Sequence, residues 1–308
     1  MRREIRLPLT VQGRLDRALA DALGLGRAAV KRAFQLGEVR LAGRRVRPSD
    51  PAIPGSLVSI DVEEPAGAPA PEPGAPLSVL VVHPRVVIVD KPAGVAVHPL
   101  VPGEGGTLAN AVAARFPECP EASPDAREGG AVQRLDLETS GCIAFARDRE
   151  AWEELHAALR ERRVEKVYLA LVQGRVAAGG VLSAPLAQRG GRSVPAPDAV
   201  AEERLVAKGH RPRPAETRYE VERRFERYTL LNVRILTGVM HQIRAHLALA
   251  GHPVAGDALY GGEAAAIPGL RRLFLHAARL AFEAPGGGRV EAASPLPPDL
   301  AAILGGLA

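Results

Sequence analysis

Gln133-Arg134-Leu135-Asp136-Leu137-Glu138-Thr139-Ser140-Gly141 is the stretch whose reading decides the fold. Taken as extended chain, side-chain alternation sends Leu135 and Leu137 to one face and Arg134 and Asp136 to the other. Thr139-Ser140-Gly141 has turn chemistry, and Cys142-Ile143-Ala144-Phe145-Ala146 reads as a second, buried strand. A carboxylate at the mouth of such a hairpin stays ionised beside an Arg, because the cation offsets part of its desolvation cost. An ordinary strand-end ion pair fits the same spacing, since structural pairs perturb carboxylates too.

Outward from this stretch, the chain from Val79 onward alternates short strands with few helices. Val86-Val87-Ile88-Val89 reads as a buried strand running into Asp90-Lys91-Pro92-Ala93-Gly94, with Val95 to His98 continuing it. Thr107 is placed to cap a short helix through Phe116. Residues 118–130, polar with Pro and Gly, read as a mobile loop. Residues 150–162 form an amphipathic helix carrying Trp152, Leu155 and Leu159, and 167–172 a strand. Residues 187–214 read as an irregular insertion containing Arg and Pro. Thr237 reads as a cap for a helix ended by Gly251 and Pro253, with Met240, Ile243 and Leu247 on its apolar stripe. His241 and Arg244, three apart, face the same way on it.

A chain of 308 residues has room for one large domain and one small one. Its two cysteines, Cys119 and Cys142, make neither a disulfide framework nor a metal-ligand spacing, which favours a reducing, cytoplasmic setting. No apolar run is long enough to span a bilayer, and the N-terminus lacks the apolar stretch of a signal peptide. His241 and His246 point apart on a helix and no His-Glu-x-x-His pattern occurs, so no metal is expected.

Charge is distributed unevenly. Residues 1–62 hold 12 Lys and Arg against 6 Asp and Glu, while the whole chain carries a net charge of +5, so the entire positive excess lies in that first fifth. Leu15, Leu19 and Leu23 fall at helical spacing before Gly24. A second helix from about Arg27 would bury Val30, Ala33 and Phe34 and expose Arg27, Lys31 and Arg32. Val39-Arg40-Leu41 and Arg44-Arg45-Val46-Arg47 flank a turn at Ala42-Gly43, and Val58 to Val62 closes the unit. A basic module on a nearly neutral body suits an anionic polymer gripped through its backbone; a solubilising Arg-rich surface fits the same count. Residues 63–76, rich in Pro, Ala and Gly, read as an extended linker. The domains expected are therefore 1–62, a linker over 63–76, and 77–308.

The 133–141 stretch resembles the active-site signature of the RluA-type pseudouridine synthases, His-Arg-Leu-Asp-x-x-Thr-Ser-Gly, with Gln133 in the place of His. Lys166-Val167-Tyr168-Leu169-Ala170 resembles the family's second motif. Residues 234–247, with Thr237-Gly238-Val239-Met240-His241-Gln242-Ile243-Arg244-Ala245-His246, resemble the third, and Lys91-Pro92-Ala93-Gly94 with His98-Pro99 the first. Segments 251–261, 275–280 and 294–297 also resemble family segments. Val239 stands where the family usually has Arg. Residues 13–62 resemble the αL RNA-binding module of a small-subunit ribosomal protein.

The resemblance implies an α+β catalytic domain with a mixed, mainly antiparallel sheet, preceded by a small αL RNA-binding domain. It implies an isomerase that turns uridines of structured RNA into pseudouridine without a cofactor. Asp136 would act on the ribose, Tyr168 would stack on the uracil, and Arg244 would hold Asp136 as an anion. Arg134, Lys91 and His241 would contact the substrate, and Arg27, Lys31, Arg32, Arg40, Arg44 and Arg45 would grip phosphates. Large-subunit ribosomal RNA is the favoured partner, with transfer RNA as the alternative, and a monomer in the cytoplasm is expected. A catalytically weak RNA-binding protein of the same fold is one rival reading. A glycoside hydrolase, which needs a second acid, is the other.

Overall fold

The computed structural model describes residues 2–23, 30, 33–34, 38–41, 43–61, 67–101, 103–261 and 267–307. They divide into two compact units, Met1–Gly67 with Pro99–Glu104, and Ala68–His98 with Gly105–Ala308.

The first unit contains β1 (Arg2–Arg6), α1 (Leu15–Leu23), β2 (Val39–Leu41), β3 (Arg44–Arg45) and β4 (Leu57–Asp61). Its antiparallel sheet runs β1-β4-β2-β3. Leu15 and Leu19, one helical turn apart, bury against Val39, Val58 and Ile60 of the sheet. Val30 and Ala33 are buried in the same cluster. Arg27, Lys31 and Arg32 lie outside the described residues.

The second unit contains β5 (Ser78–His83), β6 (Val86–Lys91), α2 (Leu108–Arg115), α3 (Cys119–Ala122), β7 (Ser140–Ala146), α4 (Arg149–Arg160), β8 (Glu165–Gln173) and β9 (Gly180–Leu182). There follow β10 (Leu186–Arg189), β11 (Arg192–Pro195), α5 (Ala199–Ala207), β12 (Thr217–Arg224), β13 (Tyr228–Ile235), α6 (Gln242–Leu249), β14 (Leu275–Glu283), β15 (Arg289–Ala293) and α7 (Pro298–Gly305). The main sheet runs β5-β6-β7-β14-β8-β13-β12-β9, with β15 on β14. Its pairings are antiparallel except β7 with β14, which gives the mixed, mainly antiparallel sheet expected. Gly141 lies at that parallel joint with φ +116, and a Cβ there would come 2.2 Å from the Ala277 carbonyl oxygen. Only glycine fits.

Helices cover both faces of the sheet's centre, which explains why β6 and β7 read as continuous apolar runs. Ile88 and Ala144 face Ala151, Leu155 and Ala158 of α4. Val87, Val89, Ile143 and Phe145 face Leu108, Ala109 and Val112 of α2. Thr107 caps α2 as expected, in a reciprocal box with Asn110.

Several stretches differ from their sequence reading. Residues 134–137 are not strand: the Thr139 amide donates to the Asp136 carbonyl at 3.1 Å, closing a turn over 136–139. The strand begins only at Ser140, and Ser140-Gly141 belong to β7 rather than to the turn. Leu135 packs into the core while Leu137 is 55% exposed, so the expected two-face alternation fails. β6 ends at Lys91, and residues 92–98 turn away through Gly94 at φ +81 instead of extending it.

Residues 118–130 are ordered by α3, by a 3-10 turn at Ala126–Glu128, and by burial of Cys119 and Ala122. The supposed insertion at 187–214 is the β10–β11 hairpin followed by α5, which Asp198 caps through Ala201 N at 2.7 Å. The later part of the Pro-rich stretch is not free either. Asn110 Nδ2 donates to the Ala70 carbonyl at 2.8 Å, and Glu72 accepts from the Gly106 amide at 2.9 Å.

Candidate active site

Three chain segments meet around the Asp136 carboxylate: the 136–139 turn, the start of α6, and the loop after Val254. Asp136 precedes β7, where the parallel pairing with β14 begins at Ser140 and His276. The turn is held by its carbonyls. Leu137 O accepts from Lys91 Nζ at 3.0 Å and from Gly94 N at 2.8 Å. Glu138 O accepts from Arg272 at 3.1 Å.

α6 starts at Gln242, not at Thr237. Its N-cap is His241, in the left-handed region at φ 53. The Gln242 side chain reaches back, accepting from Thr237 Oγ1 at 2.7 Å and from the Val239 amide at 3.2 Å. This tight entry points His241 and Arg244 at one spot. Arg244 Nη1 donates to Asp136 Oδ2 at 2.8 Å, and His241 Nε2 lies 3.8 Å from Asp136 Oδ1.

Arg244 has a second carboxylate that sequence reasoning missed. Asp257, its side chain wholly buried, accepts from Arg244 Nε at 2.6 Å and from Nη2 at 2.8 Å. A two-pronged pair of this kind locks the guanidinium plane, leaving Nη1 to meet Asp136. The sequence marks the segment around Asp257 only by its resemblance to a family segment. What could have flagged it is an Asp after a glycine turn, close in sequence to an Arg-bearing helix.

Burial opposes the Arg244 charge, but the hydrogen bonds to Asp257 and Asp136 outweigh it and raise its pKa, so it stays a cation. Burial lowers the His241 pKa despite the Asp136 charge nearby. Of the two carboxylates around Arg244, Asp136 is the accessible one: its side chain is 23% exposed against 0% for Asp257, and its Oδ1 accepts no hydrogen bond from the described residues.

Tyr168 on β8 is buried, and burial together with the Asp136 charge raises its pKa, so its phenol stays neutral. His241 Nδ1 is 3.2 Å from the Tyr260 hydroxyl, which accepts from Ser193 N at 2.7 Å in β11. Arg192 and Arg244 both lie against the Tyr260 ring. The β10–β11 hairpin is thereby fastened to the site.

Two expected substrate contacts sit differently. Lys91 is 0% exposed, and its ammonium donates to Pro92, Val95 and Leu137 carbonyls at 2.8–3.0 Å. It holds the loop, and burial lowers its pKa to about 8. Arg134 is exposed and makes no hydrogen bond or ion pair with Asp136, so the cation beside the carboxylate is Arg244 and not Arg134. His246 uses both ring nitrogens in the core, on Thr217 Oγ1 and Ala184 O, and cannot join His241 at a metal. Val239 is buried with Leu186, Ala215 and Ala245.

Residues 85–249 match the family described as RNA pseudouridylate synthase. The chain is 38% identical to an uncharacterized RNA pseudouridine synthase of Chloroflexus aurantiacus, over 96% of the chain and 90% of the relative. It is 34% identical to ribosomal large subunit pseudouridine synthase D of Xanthomonas campestris (96% and 88%). It is 35% identical to ribosomal large subunit pseudouridine synthase C of Pasteurella multocida (94% and 88%). The solved structure of human RNA pseudouridylate synthase domain containing 1 superposes with a TM-score of 0.57 at 25% identity, covering 75% of this chain and 90% of that one.

Proposed function

The chain belongs to the RNA pseudouridylate synthase family, whose members are isomerases acting on RNA, and from that premise we propose that the Asp136 carboxylate is its catalytic group. The observation that carries this reading is the arrangement of the carboxylates: Asp257 occupies two prongs of Arg244, and the third steadies Asp136 Oδ2, leaving Oδ1 with no hydrogen bond from the described residues and His241 Nε2 3.8 Å away.

The reaction breaks the bond between the anomeric carbon and the uracil nitrogen, turns the base, and joins it through carbon 5. The proton at carbon 5 leaves and the nitrogen gains one, so the product is an isomer. Oδ1 either attacks the anomeric carbon or removes the proton at the neighbouring ribose carbon, and both routes need a fixed anion. Tyr168 provides a flat, neutral ring for a base taken out of its stack. His241, neutral, lines the sugar side. Arg134, exposed, is available to the RNA strand the uridine leaves.

The substrate we assign is large-subunit ribosomal RNA, by analogy with the relatives named for that activity, with transfer RNA the alternative. Residues 1–62 serve as an RNA-binding module, using Arg40, Arg44 and Arg45 with Arg27, Lys31 and Arg32, and residues 77–308 as the catalytic domain. The protein acts as a monomer in the cytoplasm. Hydrolysis is disfavoured, because the second acid beside Asp136 is Asp257, which is locked on Arg244 and cannot reach a leaving group. The weak-binder reading is disfavoured because Asp136, Arg244 and Tyr168 are all retained.

Ribosomal RNA tritiated at uracil carbon 5 tests this. The expected result is tritium release by the wild type and none by Asp136→Ala. Free uracil or abasic RNA would point to a hydrolase, and binding without release to a weak binder.

A further inference from the structure

Arg272 lies just before β14 with its side chain 11% exposed. Its guanidinium reaches the turn that carries Asp136: Nη1 donates to Glu138 O at 3.1 Å, and both Nη atoms lie 3.4 Å from Ser140 Oγ. Ser140 Oγ is fixed in turn, 3.0 Å from His276 Nδ1, whose Nε2 meets the Ser294 carbonyl at 3.0 Å.

The backbone of the same residue supports the other carboxylate. Gly256 has φ +82, and a Cβ there would come 2.3 Å from the Arg272 carbonyl oxygen, so the two chains are in direct contact. Two residues on, Phe274 N donates to Ala255 O at 2.8 Å. Asp257 follows immediately. The Arg272 side chain thus holds the Asp136 turn, while the backbone of residues 272–274 packs on the Ala255-Gly256 segment that leads into Asp257.

We propose that Arg272 is a positioning residue for the isomerisation: it sets the spacing of Asp136 and Asp257 across Arg244, and Asp299 at the start of α7 sets the orientation of Arg272. Asp299 accepts from Arg272 Nε at 2.7 Å and from Nη2 at 3.2 Å. Asp299 is 57% exposed, so this pair contributes little to stability. Its effect is geometric: it holds the fork at the angle that delivers Nη1 to Glu138 O. The inference rests on the reading of Asp136 as the catalytic group.

The test compares wild type, Arg272→Gln, Arg272→Lys, Asp299→Asn and Asp136→Asn in full-length protein. Single-turnover tritium release at saturating enzyme, RNA Kd and unfolding midpoint are read for each. Misplacing a reacting group by an ångström costs on the order of 100-fold, so Arg272→Gln is expected to slow the chemical step by roughly 10- to 100-fold with Kd within about twofold. Arg272→Lys, which keeps charge and loses the fork, recovers part of the rate. Asp299→Asn slows it by about three- to tenfold with an unchanged unfolding midpoint.

Wild-type rates in both Arg272→Gln and Asp299→Asn overturn the inference. So does a loss that tracks only Kd or the fraction folded. Should Arg272→Gln not fold, Asp299→Asn decides alone. A dead Asp136→Asn beside fully active Arg272 and Asp299 variants removes this inference and leaves the catalytic assignment standing. An active Asp136→Asn removes both.

Discussion

Cations are handled in opposite ways around Asp136 and along the small sheet of the N-terminal unit. Near Asp136, Arg244 and Lys91 are buried, each Arg244 nitrogen has a named acceptor, and the Lys91 ammonium has three. On the N-terminal sheet, Arg40, Arg44 and Arg45 are exposed, and the register sets Arg40 directly opposite Arg45. Like charges facing each other across a hairpin destabilise it slightly. The β10–β11 hairpin repeats the arrangement with Arg189 opposite Arg192. Buried cations with engaged nitrogens fix local geometry; on the reading proposed above, the exposed ones meet a polyanion. The two kinds of charge should therefore fail in different measurements.

The largest effect on stability is expected at Asp257. Asp257→Asn leaves Arg244 buried against a neutral amide, and breaking a buried pair by removing one partner costs about 3–5 kcal/mol. Denaturant unfolding should show that loss. In the fraction still folded, tritium release should fall by roughly 100-fold, because Asp136 loses its fixed partner. A stable, fully active variant would erase the distinction between the two regions.

The next effect is on pH. Burial lowers the Lys91 pKa to about 8, and losing a proton leaves two N–H donors for the carbonyls of Pro92, Val95 and Leu137. The single-turnover rate should fall above about pH 8, by up to tenfold per pH unit for a group titrating singly. The sign separates this from unfolding. The folded pKa lies below the ordinary lysine value, so the unfolded chain binds more protons between the two, and Lys91's own contribution to stability rises with pH through that window. Lys166, also near 8, donates to Thr237 O, and Lys166→Met should leave the limb in place.

The smallest effect belongs to the surface. Arg40→Ala with Arg44→Ala and Arg45→Ala should weaken RNA binding and lower the slope of log K against log salt by about 2 to 3, one lost phosphate contact each. Arg189→Ala with Arg192→Ala should lower it by about 2. A salt slope that does not change would mean these arginines only solubilise.

Legibility in the sequence follows the same division. β6, β7, α2 and α4 were readable because burial on two faces, or on one helical face, leaves a periodic signature. That His241 and Arg244 meet at one spot was readable from their spacing of three, although His241 caps α6 instead of lying within it. The turn at 136–139 was misread, because what bends the chain there is carbonyl capture by Lys91 and Arg272, residues 46 and 134 positions away. Asp257 was missed for the same reason: its partner is assigned by tertiary contact, with no local pattern to announce it. Residues 187–214 looked irregular because a short hairpin with a Gly190-Gly191 tip and a nine-residue helix carry few apolar positions.

The most direct test is the rate of tritium release from carbon-5-labelled RNA by Asp136→Asn, measured at enzyme concentrations that bind all of the RNA. The amide keeps the shape and a hydrogen-bond acceptor for Arg244 but removes the anion. Release should drop to the uncatalysed background while RNA affinity stays near that of the wild type. Release at the wild-type rate would contradict a catalytic role for this carboxylate.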